Sequence, residues 1–272
     1  MSAPQPRPPG SERVPGAPQV TITWIGHATV LVEVEGHRVL TDPALTGRLA
    51  HLRRRGPLPT VGQVDTVLIS HLHMDHLHLR SLRALGHVPR MVVPAGSRSL
   101  VKSVASGVID EVVPGDQLVL SAADAPVEIS VRVVHAEHSG RRGPHSRIAA
   151  APVGYVLDVG GHTIYFAGDT DLFDEMHDLG HIDVALVPIW GWGPTLGERH
   201  LDPSSAAEAT LRIDPVRVVP IHWGTYSPIR LQPGSPPWLD HPLEAFRSSL
   251  VQIGLDDRLH SVRPGGSVTL PV

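Results

Sequence analysis

The sequence predicts a layered α/β sandwich whose functional residues line one sheet edge. Three features lead there. Alternating apolar strands open the chain, mixed strand–helix units follow, and the residues with chemistry fall at strand ends. The 272 residues suit one large domain, and 41% hydrophobic against 18% charged residues is enough for a packed core. That domain is expected over residues 19–272. Met1 to Pro18 is rich in Pro, Gly and Ser, lacks an apolar signal core and reads as a disordered tail.

Val20-Thr21-Ile22-Thr23-Trp24 alternates like a strand, and Gly26-His27-Ala28 breaks it. Val30 to Val34 is a second strand, Gly36-His37 a turn and Arg38 to Leu40 a third strand, so an antiparallel meander enters the domain and ends at Thr41-Asp42-Pro43. Leu45 to Gly62 is a loop carrying Arg48, Arg53, Arg54 and Arg55. It is either a solvated basic loop or a flap that attracts an anion, since the guanidinium fork suits phosphate and carboxylate. Val67-Leu68-Ile69 is a short buried strand. Leu79 to Leu85 reads as a helix stopped by Gly86, Met91 to Val93 as a strand, and Ser97 to Ser106 as a helix with Gly107 just past its end. Val112-Val113 and Leu118 to Leu120 flank a Pro114-Gly115 turn, and Glu128 to Val134 alternates as a strand.

Val153 to Val159 and Thr163 to Phe166 form a hairpin about Gly160-Gly161. Leu172 to Leu179 is a short helix closed by Gly180, and Val184 to Val187 is a strand. Trp190 to Gly197 is a Trp/Gly/Pro-rich loop in which Trp190 and Trp192 either line an apolar pocket or pack the loop. Asp202 is placed as the N-cap of a helix that begins with Pro203 and runs to about Arg212. Val216 to Ile221 is a strand, about Leu243 to Ile253 a last helix, and Ser267 to Leu270 a last strand.

The chemistry concentrates in Ser70-His71-Leu72-His73-Met74-Asp75-His76, directly after the strand at 67–69. The pattern H-x-H-x-D-H packs four potential metal ligands into six residues. Imidazoles suit zinc, iron and similar ions, and a carboxylate supplies charge. Three other strand ends add His138, Asp169 and His222. These seven groups are enough for two adjacent ions. One site would use His71, His73 and His138, the other Asp75, His76 and His222, with Asp169 as the bridge. Two ions about 3.5–4 Å apart can share a hydroxide and steady a leaving oxygen, which is the chemistry of phosphodiester, ester, lactone or amide hydrolysis.

The motifs Trp24-Ile25-Gly26-His27-Ala28-Thr29, Leu40-Thr41-Asp42-Pro43, Ser70 to His76, Glu137-His138-Ser139-Gly140-Arg141, Phe166-Ala167-Gly168-Asp169-Thr170, His200-Leu201-Asp202-Pro203 and Ile221-His222-Trp223-Gly224-Thr225 follow one another over about Val20 to Tyr226. In this order they resemble the metallo-β-lactamase superfamily, above all the branch of N-acylphosphatidylethanolamine phospholipase D and L-ascorbate-6-phosphate lactonase. The resemblance implies a four-layer αββα sandwich and the seven-ligand dinuclear site. It also implies a substrate contact for His200, from the His-x-Asp-Pro stretch, and it selects His138 over the neighbouring His135. Asp75 or Asp169 would orient the attacking hydroxide. Flavodiiron proteins place a glutamate where His73 stands, so a redox di-iron role is disfavoured.

The expected activity is metal-dependent hydrolysis of a phosphodiester by a hydroxide bound to two ions. The alternatives are a lactonase acting on a sugar lactone, phosphorylated or not, and a non-catalytic binding protein that keeps its metals. Zinc is the favoured ion, with manganese or iron as alternatives. His27 and Asp42 either orient ligand imidazoles or stabilise turns. Arg141 either meets an anionic substrate group or is a surface arginine. His78, His145, His162, His177, His181, His241 and His260 read as structural or solvated.

Composition narrows the rest. With 23 Lys and Arg against 27 Asp and Glu, the chain carries a formal charge of −4, which does not suit a nucleic-acid-binding domain. There is no cysteine, so disulfides and thiolate zinc sites are excluded, and a cytoplasmic location is expected. No apolar run is long enough to span a membrane. The expected partner is a small anionic substrate, and an oligomer is compatible with the sequence.

Overall fold

Period-two alternation builds the two sheets. In Ile129–His135, Ile129, Val131 and Val133 are buried while Ser130 is exposed and Arg132 half-buried. The structure is a computed structural model and describes residues 18–123, 125–143, 146–191, 193–229 and 237–270. The tail at 1–17, His145 and Trp192 lie outside the described residues.

The strands in chain order are β1 (Val20–Gly26), β2 (Thr29–Val34), β3 (His37–Thr41), β4 (Arg48–Leu49), β5 (Leu52–Arg54), β6 (Thr66–Leu68), β7 (Arg90–Pro94), β8 (Val108–Val112), β9 (Gln117–Leu120), β10 (Ile129–His135), β11 (Val153–Val159), β12 (His162–Phe166), β13 (Val184–Pro188), β14 (Arg217–Ile221), β15 (Tyr226–Pro228) and β16 (Ser267–Leu270). The helices are α1 (Leu79–Ala84), α2 (Arg98–Val101), α3 (Pro203–Ile213) and α4 (Pro237–Gln252).

One sheet has seven strands in the order β16-β1-β2-β3-β6-β7-β8, and the other has six in the order β14-β13-β12-β11-β10-β9. Each begins as an antiparallel meander and continues as parallel strands, β3-β6-β7-β8 in one and β12-β13-β14 in the other. Side chains from both sheets, among them Ile22, Trp24, Val32, Val133, Tyr155 and Phe166, form one buried core. On the outer face of the first sheet, Leu82 of α1 and Val101 of α2 pack with Leu31, Leu40, Val67 and Met91. On the second, α3 packs against β13 and α4. The order of layers is therefore αββα, as the resemblance implied.

Strand direction places the site. β1 and β3 both run antiparallel to β2, and β6 runs parallel to β3. β10 and β12 both run antiparallel to β11, and β14 continues the direction of β12 through β13. Within each sheet the strands that precede candidate residues therefore end at one edge.

Several elements differ from expectation. The loop at 45–62 contains the hairpin β4–β5, which pairs with β15 as a small third sheet. The helix expected to Ser106 ends at Val101. Gly107 is not its stop: a Cβ there would lie 1.9 Å from the Pro89 carbonyl oxygen, so close backbone approach requires the glycine. β8 begins at Val108, ahead of the expected start, because Asp110 and Glu111 interrupt the apolar pattern. The helix expected at 172–179 is a 3-10 helix over Asp174–Leu179. α4 starts at Pro237, ahead of Leu243, and carries Pro242 inside it, where a proline ordinarily ends a helix.

Candidate metal centre

The histidine motif leaves β6 just after Leu68, and His71 and His76 are fully buried. Residues 73–77 form a tight turn in which the His73 carbonyl accepts from the His76 and Leu77 amides at 3.1 and 2.8 Å. His138 follows β10, Asp169 follows β12 and His222 follows β14. All are brought to one place. His73 Nδ1 lies 3.0 Å from His71 Nε2 and 3.1 Å from His138 Nε2. His76 Nε2 lies 3.1 Å from His222 Nε2. Asp169 stands between the two groups, with Oδ2 3.1 Å from His76 Nε2 and 4.0 Å from His71 Nε2, and Oδ1 3.1 Å from His222 Nε2. Among the described residues three sets of donor atoms lie within 4.8 Å of one another: His71, His73, His138 and Asp169; His27, Asp75, His76 and His222; and a smaller set of Asp42, His71 and His76.

The outer nitrogens have partners of their own, and these assign the tautomers. His138 Nδ1 donates to the Arg199 carbonyl at 2.7 Å, and His222 Nδ1 donates to the Trp190 carbonyl at 2.6 Å. Asp42 is buried, at the end of β3. Its Oδ1 accepts from the Ser70 amide at 2.7 Å, and its Oδ2 accepts from Ser70 Oγ at 2.5 Å and His76 Nδ1 at 2.7 Å. Because Ser70 Oγ donates to Asp42, it accepts from His71 Nδ1 at 2.9 Å. One carboxylate thus orients two imidazoles. His27 Nε2 donates to Asp75 Oδ2 at 3.0 Å, and its ring lies 3.9 Å from that of His222. His27 and Asp42 therefore touch candidate ligands and do more than shape turns. Sequence reading passed over Ser70, whose only signal was its place beside His71.

Electrostatics follow from burial. Burial holds His71 well below the usual histidine value, brings His73 down to about 4 and His222 down to about 3, and lowers His138. Burial opposes charge on His76 too, but Asp169 and Asp42 on either side carry it well above the usual value. Burial would raise Asp75 and Asp169. The His27 hydrogen bond overcomes this for Asp75, and His222 and His76 overcome it for Asp169, so both stay well below the carboxylate range.

This donor set fits cations. The nitrogens His71 Nε2, His73 Nδ1 and His138 Nε2 converge at 3.0–3.1 Å, as ligands around one ion do. Asp169 Oδ1 is buried without a hydrogen bond, because the proton of His222 is committed to Trp190 and lone pair faces lone pair. Such an arrangement repels itself unless a cation lies within it.

A cavity of about 610 Å³ opens beside the centre, lined in part by His73, Met74, Asp75, Arg141, Leu196 and His200. His200 Nε2 lies 3.6 Å from Asp169 Oδ2, and its ring lies 4.5 Å from that of His138. Arg141 is an exposed part of the wall. The arginines of the 45–62 loop are elsewhere. Arg54 is buried and donates to the Ile25 and Pro57 carbonyls, and Arg55 pairs with Asp240 at 3.0 Å. Trp190 lends its carbonyl to His222 and donates from its indole to the Gly193 carbonyl. His78 caps α1 by accepting from the Ser81 amide.

Residues 37–223 match the model of the beta-lactamase superfamily domain, well over half of the chain. The chain belongs to the metallo-β-lactamase superfamily. Among its relatives in that superfamily is a UPF0173 metal-dependent hydrolase of Nitratidesulfovibrio vulgaris, 32% identical over 93% of this chain and 96% of the relative. The N-acyl-phosphatidylethanolamine-hydrolyzing phospholipase D 1 of Caenorhabditis elegans is 28% identical over 75% of this chain and 64% of its own length. The fold is shared with Igni18, a metallo hydrolase of Ignicoccus hospitalis, at a TM-score of 0.66 and 23% identity over 93% of this chain and 99% of that one. This superfamily member is a metal-dependent hydrolase, with His and Asp groups that could bind the metal. Among the described residues no helix is long and apolar enough to cross a membrane.

Proposed function

We propose that this hydrolase carries two divalent ions, zinc in the first instance, and cleaves a small anionic phosphodiester. The observation that carries the dinuclear reading is the position of Asp169, whose two oxygens face His76, His71 and His222 from both donor sets. His71, His73 and His138 would hold one ion, Asp75, His76 and His222 the other, and Asp169 both. The histidine-rich shell favours zinc. When bound, the pair supplies Lewis acidity and a water of lowered pKa.

The chain's own residues do the rest. Asp42 accepts the Nδ1 proton of His76 and, through Ser70, orients the Nδ1 proton of His71, so both rings turn Nε2 toward the centre. His27 holds the Asp75 carboxylate at Oδ2. His200 is pushed up, burial notwithstanding, by its contact with Asp169. It can therefore keep a proton on Nε2 at the cavity wall and pass it to the leaving oxygen. Arg141, on the same wall, meets the negative charge of the substrate. The phosphodiester is supported by the reaction named for the Caenorhabditis elegans relative.

The test is elemental analysis of protein purified without added metal or chelator, followed by turnover of bis(p-nitrophenyl) phosphate and of a panel of sugar lactones. Two ions per chain and phosphodiester cleavage are expected. Fewer than two ions after zinc loading would sink the dinuclear centre. Lactone turnover without phosphodiester turnover would sink the substrate class alone.

A further inference from the structure

We infer that Arg142 is a positioning residue that staples the two ends of the metal-ligand turn. The inference rests on the reading of residues 71–76 as metal ligands. Arg142 Nη1 donates to the Leu72 carbonyl at 2.9 Å, and Nη1 and Nη2 both reach the Leu77 carbonyl at 3.3 Å. Leu72 and Leu77 are fully buried and bracket His73, Asp75 and His76. Among the described residues no backbone amide takes either carbonyl. A planar guanidinium suits this task because its fork can span two acceptors at once. Without it, two carbonyls beside the centre would be left unpaired and buried, which proteins avoid.

The segment carrying Arg142 is built to deliver it. The same stretch supplies His138, so one excursion from β10 brings a ligand and the clasp for the other ligands. Gly140 accepts from the Ala150 amide at 2.9 Å, and a Cβ on it would lie 2.4 Å from the Ala150 carbonyl oxygen. The Arg142 amide donates to the Ile148 carbonyl at 3.2 Å. These contacts fix the backbone on both sides of Arg141. The two arginines then divide the work. Both line the cavity, but Arg141 is exposed, whereas Arg142 is half-buried with its guanidinium donors turned to the ligand turn. Arg142 thus sets the spacing of His73, Asp75 and His76 through the backbone carbonyls that bracket them.

The experiment measures zinc affinity by competition with a chromophoric chelator for the full-length wild type, Arg142→Ala and Arg142→Lys, with far-UV circular dichroism alongside. Loss of a group that orients metal ligands ordinarily costs about ten- to a hundredfold in affinity. That loss is expected for Arg142→Ala with an unchanged spectrum. Millimolar guanidinium should restore part of it, and Arg142→Lys, which keeps the charge but lacks the fork, should fall between. Wild-type zinc affinity in Arg142→Ala would overturn the staple, and a raised KM alone would make Arg142 a substrate contact. An affinity loss relieved by neither guanidinium nor lysine would assign Arg142 to general folding and overturn it as well. Wild-type protein that takes up no zinc would refute the metal-centre reading itself, and the staple with it.

Discussion

Asp42→Asn is the sharpest perturbation of the centre, because it exchanges one carboxylate oxygen for an NH2 group at nearly constant volume. In the wild type one carboxylate accepts from the Ser70 amide, Ser70 Oγ and His76 Nδ1, at 2.7, 2.5 and 2.7 Å. An amide in its place must turn its NH2 toward a donor. Facing the Ser70 amide it meets an N–H that cannot change. Facing His76 it meets a ring that can, by giving up the Nδ1 proton and keeping one on Nε2. The second arrangement wins, and it leaves the proton on the nitrogen that faces Asp169 and His222. A buried donor left imperfectly paired costs about 1–3 kcal/mol of folding stability in the metal-free protein. Returning the proton for metal binding should weaken the His76 site about ten- to a hundredfold, which is about 1.4–2.7 kcal/mol. The site of His71, His73 and His138 should lose less, because Ser70 stands between it and Asp42. Stepwise zinc competition titration separates the two affinities, and urea denaturation in chelator gives the stability. Two wild-type affinities in Asp42→Asn would refute the argument, as would equal loss at both sites.

Asp169→Ala should abolish turnover while leaving the far-UV spectrum unchanged, and a single-turnover assay on zinc-loaded protein that still detects hydrolysis would contradict the bridging role. The stability of metal-free protein should fall as pH drops below about 6.5, the unfolded value for histidine. His71, His73, His138 and His222 bind protons less readily folded than unfolded, His73 and His222 titrating near 4 and 3, so the unfolded state takes up the excess protons. His76 and His200 are raised and oppose this, but they are two against four. A melting temperature that rises from pH 7 to pH 5 in the presence of chelator would reverse the sign and reject the assignment. Asp202→Ala removes the side chain that accepts from the Ser204 and Ser205 amides at the start of α3, and should cost about 1 kcal/mol by chemical denaturation.

What could be read from the chain was what its signals kept local. Four candidate ligands in six residues announce themselves, and strand ends marked His138, Asp169 and His222 because an apolar run precedes each, alternating before His138 and continuous before the other two. The capping box at Asp202 is local too, and α3 begins where it indicates. The contacts that tune the site are not local. Asp42 and His76 are 34 positions apart and Arg142 and Leu72 are 70 apart, so nothing in their neighbourhoods announced the pairing. Two- and three-residue strands such as β4 and β15 are too short to show a period, which is why the basic loop read as unstructured. Once β5 pairs with β15, Arg54 is carried inward under Tyr226 and has no anion to attract.

The distribution of strain explains why these long-range contacts matter. His27, Asp42, Arg199 and His222 all adopt positive φ, at 55°, 33°, 59° and 64°. For residues other than glycine such conformations cost about 1–3 kcal/mol each and persist only where surroundings over-determine them. Here the surroundings do so by hydrogen bonds. His27 is pinned by its amide to Thr225 Oγ1 and by its carbonyl, which accepts from Trp24 Nε1 and the His222 amide. Asp42 is pinned by its own amide to the Leu68 carbonyl and by three donors on its carboxylate. Arg199 presents its carbonyl to His138. Each of these four either brings an imidazole to the candidate centre or orients one, whereas Glu35, Ala50 and Asp214, also at positive φ, do neither. The sharp turns let strands that end at one sheet edge bend their next residues toward a common point. The chain itself thus bears the cost of convergence, which is what a centre shaped in advance for cations requires.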